Sequence, residues 1–422
     1  VTAAAPDPGL AEAALAVAHE LAAAAEPAGD RCTWSAEIAV GVEGDELQLG
    51  HGDVGASLYD GTAGIAVALA GCAAAGETAG SGPLSDAARG AARHALAGAP
   101  AMLETGQLGL FGGATGVALG AVTAGQLCGE AGLVESGTGL AREVAARLEA
   151  HPGDELDLIG GLAGTVLGLQ RLLGPAAAGN GLAAAGGRLA AAAVPQAWGA
   201  AWPAAPGEPP LLGLGHGAAG IALALGELSA AGGDARLALA CAEGIEYERG
   251  WFDPDRVAWP DLREPGSEPA DPDAWTSAWC HGAIGIGLTR LRLAQLSEDP
   301  VLAVEASAAL QAARDMVVSA GTALREGQAG DCTACHGLAG VAELLLVAAG
   351  ALGVPDHARA AQRVAALMLE QRAEAGAWPC GLPGAGEVPA LMTGTAGIAL
   401  TLLRASGATT VPTPLLPGPA LL

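Results

Sequence analysis

Three histidines in this chain hold one position relative to glycine. His216, His281 and His336 each stand immediately before a Gly-x-x-Gly element, and two of them follow a cysteine, Cys280 and Cys335. Thiols and imidazoles bind zinc and move protons near neutral pH. Cys280, Cys335 and His336 together have the donor types of a zinc site, and three protein ligands leave the fourth position of a tetrahedral ion open to a reactant. His216 has the same slot without a cysteine, which suits an acid–base role. Asp157, one helical turn ahead of another such slot, could orient a histidine or handle a proton, or serve only as a helix N-cap. His281 is a ligand, a proton donor or a polar lining group. Cys332 and Cys335 form CTAC, so a redox pair, or a closed four-ligand site that includes Cys332, competes with the open site.

What must position these groups is a repeat. Gly-x-x-Gly begins at Gly61, Gly113, Gly161, Gly217, Gly282, Gly337 and Gly394, at intervals of 48 to 65 residues. The slot ahead of the pair holds Asp60, Gly112, Gly160, His216, His281, His336 and Thr393 in turn. Each unit reads as an apolar helix opening at the pair, then a helix with one charged face, as in SDAARGAARHALAGA with Arg89 and Arg93 four apart. The glycines suit an entry turn, where φ is positive or backbones approach closely. Seven such hairpins, with no strand-like alternation of any length, predict an all-α fold, an α/α toroid of seven inner and seven outer helices.

In a closed ring the slots meet at one end, so Asp157, His216, Cys280, Cys335 and His336 become neighbours and Asp60 sits across from repeat three. Inner-helix N-termini there favour anions such as a thiolate or a developing enolate. Residues 1–50 read as an N-terminal lead-in helix and linker, 51–410 as the toroid and 411–422 as a C-terminal tail. A Pro-rich connection covers 195–212. A tryptophan-bearing loop over 247–279 leads into Cys280 and reads as a wall of a pocket, with a cap over the barrel as the alternative.

The net charge of −26 disfavours nucleic acid and anionic lipid as partners. The 19 basic residues are all arginine, and no GxxxxGK[ST] phosphate loop is present, so ATP is not expected to be needed. Residues 108–125 form an uncharged run, but six of them are glycine, and a buried helix explains it better than a membrane span. The first residues lack the features of a signal peptide. Eight cysteines scattered along the chain do not form a secreted disulfide framework, so a reducing compartment, the cytoplasm, is expected.

SLYDGTAGIA at 57–66, LGHGAAG, WCHGAIGIGLTR at 279–290, CHGLAGVAELLL at 335–346 and PALMTGTAGIALTLLR at 389–404 together resemble the lanthionine synthetase C-like cyclases over about 50 to 410. YERGWFDPDRVAWPDLR followed by WCHGAIGIGL is most similar to the cyclase portion of bifunctional, LanM-type lanthipeptide synthetases. The resemblance implies an α/α toroid with Zn²⁺ held by Cys280, Cys335 and His336, and with His216 and Asp157 at the acid–base positions. It implies a dehydrated precursor peptide as substrate and a dehydratase domain or partner. The reaction implied is intramolecular addition of peptide thiolates to dehydroalanine or dehydrobutyrine. Addition of glutathione to dehydrated protein residues, and a peptide-binding toroid with a structural zinc, are the alternatives. Stand-alone bacterial cyclases have Tyr where this chain has His281 and Arg where it has Thr276. His281 agrees with the bifunctional and the eukaryotic LanC-like branches, and Arg263 in WPDLR is the candidate to steady the enolate.

Overall fold

The computed structural model describes residues 5–416 apart from 44–45, 79, 151–152, 175–179, 204–207, 264–274, 276, 298 and 382–385. Seven inner helices each open at a glycine pair: α2 (Thr62–Gly76), α4 (Ala114–Leu127), α6 (Leu162–Leu173), α8 (Ala218–Gly232), α10 (Ala283–Ser297), α12 (Leu338–Leu352) and α14 (Thr395–Ala405). They are apolar on nearly every face because neighbours surround them. Each inner helix packs against the next, and α14 packs against α2, so the ring closes.

The outer layer contains α3 (Pro83–Glu104), α5 (Ala131–Ala150), α7 (Asn180–Ala191), α9 (Ala235–Gly250), α11 (Pro300–Arg325) and α13 (Pro355–Ala375). Its seventh member is α1 (Pro8–Ala23), which packs on α14 and is tied there by Asp7 N–H to Ser406 C=O at 2.9 Å. Arg89 and Arg93 of α3 reach Glu130 at 3.2 and 2.6 Å, as their spacing on one outer face allows. The chain is therefore an all-α toroid with seven inner and seven outer helices.

Three short antiparallel hairpins depart from the expectation of no strands. These are β1 (Glu26–Ala28) with β2 (Arg31–Thr33), β3 (Ser35–Glu43) with β4 (Glu46–Asp53), and β5 (Val194–Pro195) with β6 (Ala200–Ala201). The longest, β3–β4, does alternate in sequence, with Ala36, Ile38, Val40 and Val42 two apart, but small residues and glycines weaken the signal. The loop expected from Tyr247 begins later, because Tyr247–Gly250 complete α9.

The residue two before each glycine pair belongs to a circular belt of backbone hydrogen bonds. Tyr59 N–H donates to Phe111 C=O, Phe111 to Ile159, Leu158 to Gly215, Gly215 to Cys280, Trp279 to Cys335, Cys335 to Met392, and Met392 back to Tyr59, all at 2.8 to 3.1 Å. Below the belt lies an apolar floor of Leu58, Leu110, Leu158, Leu214, Trp279, Ala334 and Leu391, all buried. The second glycine of each pair fits the carbonyl of a floor residue. A Cβ on Gly116 would lie 1.9 Å from Leu110 O, and one on Gly220 would lie 2.2 Å from Leu214 O. Close approach, more than positive φ, explains the recurring element.

Residues 411–416 fill the interior of the ring. Val411, Thr413, Leu415 and Leu416 are buried, and 411–414 line a small cavity with Leu58, Val67, Leu110 and Leu119 from two repeats. From a third repeat, Trp279 donates its indole N–H to Leu415 C=O at 2.9 Å. Among the described residues no helix is long and apolar enough to cross a membrane.

Candidate metal centre

At the end of the ring where the inner helices begin, the candidate donor atoms of Cys280, Cys335 and His336 all lie within 4.8 Å of one another. Both cysteines occupy the belt position and are buried, whereas His336 stands one residue further out and is exposed. Ligands about 2.0–2.3 Å from a tetrahedral ion are separated by under 4 Å or so, so the cluster fits one zinc ion after small rotamer adjustments. Cys332 is outside it. Its sulfur lies 3.8 Å from Gly330 C=O and its backbone N–H is bonded to Pro379, and among the described residues the donor cluster holds only Cys280, Cys335 and His336.

The charge arrangement favours one ionised sulfur. A hydrogen bond from Cys335, then one from His336, pulls Cys280 well below the ordinary thiol value despite burial. Cys335 moves up, first because it shares its proton with Cys280 and then because it is buried. His336 is raised by its hydrogen bond to Cys280. A divalent cation would substitute for the proton that these groups share.

Beside this cluster, His216 Nδ1 lies 2.5 Å from Asp157 Oδ2, while Asp157 Oδ1 accepts from Gly160 and Gly161 N–H at 2.9 Å each. Asp157 is thus both a turn cap and a histidine partner. The other ring nitrogen, Nε2, has no protein hydrogen bond among the described residues, and the His216 side chain is 42% exposed. Burial favours neutral imidazole, but the hydrogen bond and charge of Asp157, with Cys280 and Glu155, raise its pKa above the ordinary value. Glu155 was not anticipated. The turn bearing His216 is fixed from behind by buried Glu248, which accepts Gly213 N–H at 3.0 Å, and from the side by the Gly215–Cys280 belt bond.

His281 is buried and stacks on His216, with centroids 5.3 Å apart at 21°, and is not in the donor cluster. Burial, with Arg263 and His216 nearby, lowers its pKa. Arg263 is bound by Asp261 at 2.5 and 3.0 Å, yet Cys280 and Cys335 are near enough to contribute to its raised pKa after Asp261. Thr276 lies outside the described residues. In the tryptophan-bearing segment Trp259 is buried and bonded to Glu248 C=O, Trp279 belongs to the floor, and Trp275 lies under Arg256 at 4.9 Å.

Tyr59, not anticipated from the sequence, places its hydroxyl 3.0 Å from Cys335 Sγ. Its signal was present: it holds the same place, two before a glycine pair, as both cysteines. Asp60 is bonded to Ser57 Oγ at 2.5 Å, and with Tyr59, His336 and Thr393 it lines a cavity of about 320 Å³ under the β3–β4 hairpin.

The family model for lanthionine synthetase C-like proteins matches residues 52–416. The chain belongs to the lanthionine synthetase C-like family. Among solved structures, nisin cyclase is similar, with a TM-score of 0.59 and 16% identity over 83% of this chain and 88% of its own. That likeness supports the toroid as a fold for this lanthionine synthetase C-like protein. An unsaturated glucuronyl hydrolase from Bacillus sp. GL1 aligns more loosely, at a TM-score of 0.41 and 16% identity over 73% of this chain and 84% of its own. No curated protein gives a significant match.

Proposed function

We propose that the chain is a zinc-dependent lanthipeptide cyclase. It would close (methyl)lanthionine rings by adding a cysteine thiolate of a dehydrated precursor peptide to a dehydroalanine or dehydrobutyrine of the same peptide. The observation that carries this reading is the placement of the Cys280–Cys335–His336 donors beside an Asp-oriented histidine. When bound by these three residues, Zn²⁺ supplies a site where a peptide thiol loses its proton near neutral pH and stays nucleophilic.

The chain's own residues supply the rest. As sulfur bonds to the β-carbon, the alkene π pair moves toward the α-carbon and carbonyl. Negative charge there faces the N-termini of α8 and α10, with Arg263 as the further candidate to steady it. His216, held by Asp157 through Nδ1, then delivers the Nε2 proton to the α-carbon. The thiol proton leaves to solvent and His216 takes one back from it, so product and dehydrated peptide have equal mass. His281 backs the His216 ring and lines the substrate side. The sequence motifs favour the LanM-type branch, in which a dehydratase domain or partner prepares the peptide, in the cytoplasm.

The test mixes the zinc-loaded chain with a dehydrated peptide, with and without glutathione, and reads mass and N-ethylmaleimide-reactive thiols. Cyclisation leaves the mass unchanged and removes reactive thiols; a gain of one glutathione mass favours the intermolecular alternative instead. Cys280→Ala, Cys335→Ala and His336→Ala are expected to lose zinc and ring formation. Normal cyclisation by all three overturns the proposal.

A further inference from the structure

We propose that Tyr59 is a positioning residue for the metal, its phenol donating a hydrogen bond to Cys335 Sγ that fixes this sulfur as an acceptor facing the ion and moderates the charge it gives up. The inference rests on the reading of Cys280, Cys335 and His336 as zinc ligands.

Four observations support it. The hydroxyl of the half-buried Tyr59 is 3.0 Å from the sulfur. The contact joins repeat one to repeat six, far apart in sequence but separated around the closed ring by repeat seven alone. Both ends of the Tyr59 peptide unit are held in the belt, its N–H by Phe111 and its C=O by Met392, at 2.9 Å each. Finally, the ring is wedged: Phe111 meets Tyr59 edge-on at 6.3 Å, Trp279 meets Phe111 at 5.0 Å, and Leu415 C=O anchors Trp279. A phenol held at its backbone and packed against Phe111 keeps its oxygen beside the sulfur before any ion arrives.

Hydrogen bonds to the groups that bind a metal are commonly worth 10–100-fold in affinity. A sulfur that accepts an O–H also has its lone pairs lowered in energy, so sulfur-to-cobalt charge transfer moves to higher energy.

The experiment compares the full chain with Tyr59→Phe, which keeps the ring, and Tyr247→Phe, which removes a hydroxyl bonded to Pro210 C=O away from the donor cluster. Zinc affinity is measured by competition with a chromophoric chelator, and the charge-transfer band is recorded on the Co²⁺-loaded chain. Tyr59→Phe is expected to bind zinc about 10–100-fold more weakly and to shift the band to lower energy, with the melting curve of the metal-free chain unchanged. Tyr247→Phe is expected to leave affinity and band in place. Equal affinity and an unmoved band in Tyr59→Phe overturn the proposal while leaving the zinc reading intact, as does a Tyr247→Phe chain that matches Tyr59→Phe in both. A parent chain that binds neither metal overturns both readings.

Discussion

His216 and Asp157 act as one unit, because the carboxylate that caps the turn of repeat three also holds the imidazole of repeat four. Two outcomes follow from this pairing. His216→Ala should lower the cyclisation rate by roughly 10²–10⁴-fold with zinc content unchanged, which metal analysis beside single-turnover kinetics would check. Asp157→Asn keeps an acceptor for the two glycine N–H groups but removes the charge that raises the His216 pKa. A raised pKa keeps the proton donor charged to higher pH, so its loss should move the alkaline limb of the pH–rate profile to lower pH; an unmoved limb would assign the donor elsewhere. Side-chain types and a shared register were enough to bring Cys280, Cys335, His336, His216 and Asp157 together on paper. Tyr59 escaped because a phenol two places before a glycine pair resembles ordinary packing until the ring is closed, when it meets a sulfur from five repeats later in the chain.

The entry turns explain why glycine recurs when reactive residues do not. Gly220→Ala forces a methyl to 2.2 Å from the Leu214 carbonyl, and the backbone must give way. A loss of about 1–3 kcal/mol or more is expected, measured by denaturant unfolding. Gly112→Ala is the contrasting case, since a Cβ there meets nothing nearer than Ile159 O at 4.0 Å, and stability should stay near that of the parent chain. At this scale the inner and outer helices were legible from apolar and charged periodicity. The belt was not, because it is made of backbone groups that every residue carries. The β3–β4 hairpin was missed for a different reason: its alternation is carried by Ala, Val and Gly, residues equally at home in the Ala-rich helices around it.

The whole ring depends on two distant joins, α14 against α2 and residues 411–416 within the interior. A chain ending at residue 408 loses buried Val411, Leu415 and Leu416 together with the Trp279 anchor. Stability is expected to fall by on the order of 5 kcal/mol, seen as a lower melting temperature, and cobalt spectra should broaden as the aromatic wedge beneath Tyr59 relaxes. An unchanged melting temperature would show that the segment is dispensable. The seven-fold count was readable from the repeat, but which segments complete it was not, since nothing in α1 or in residues 411–416 carries the glycine signature.

Order of synthesis adds a last consequence. During translation both thiols and His336 emerge before α14, so the nascent chain first presents them on an open arc with its central space unfilled. The ring can seal only when the later helix and the segment behind it arrive.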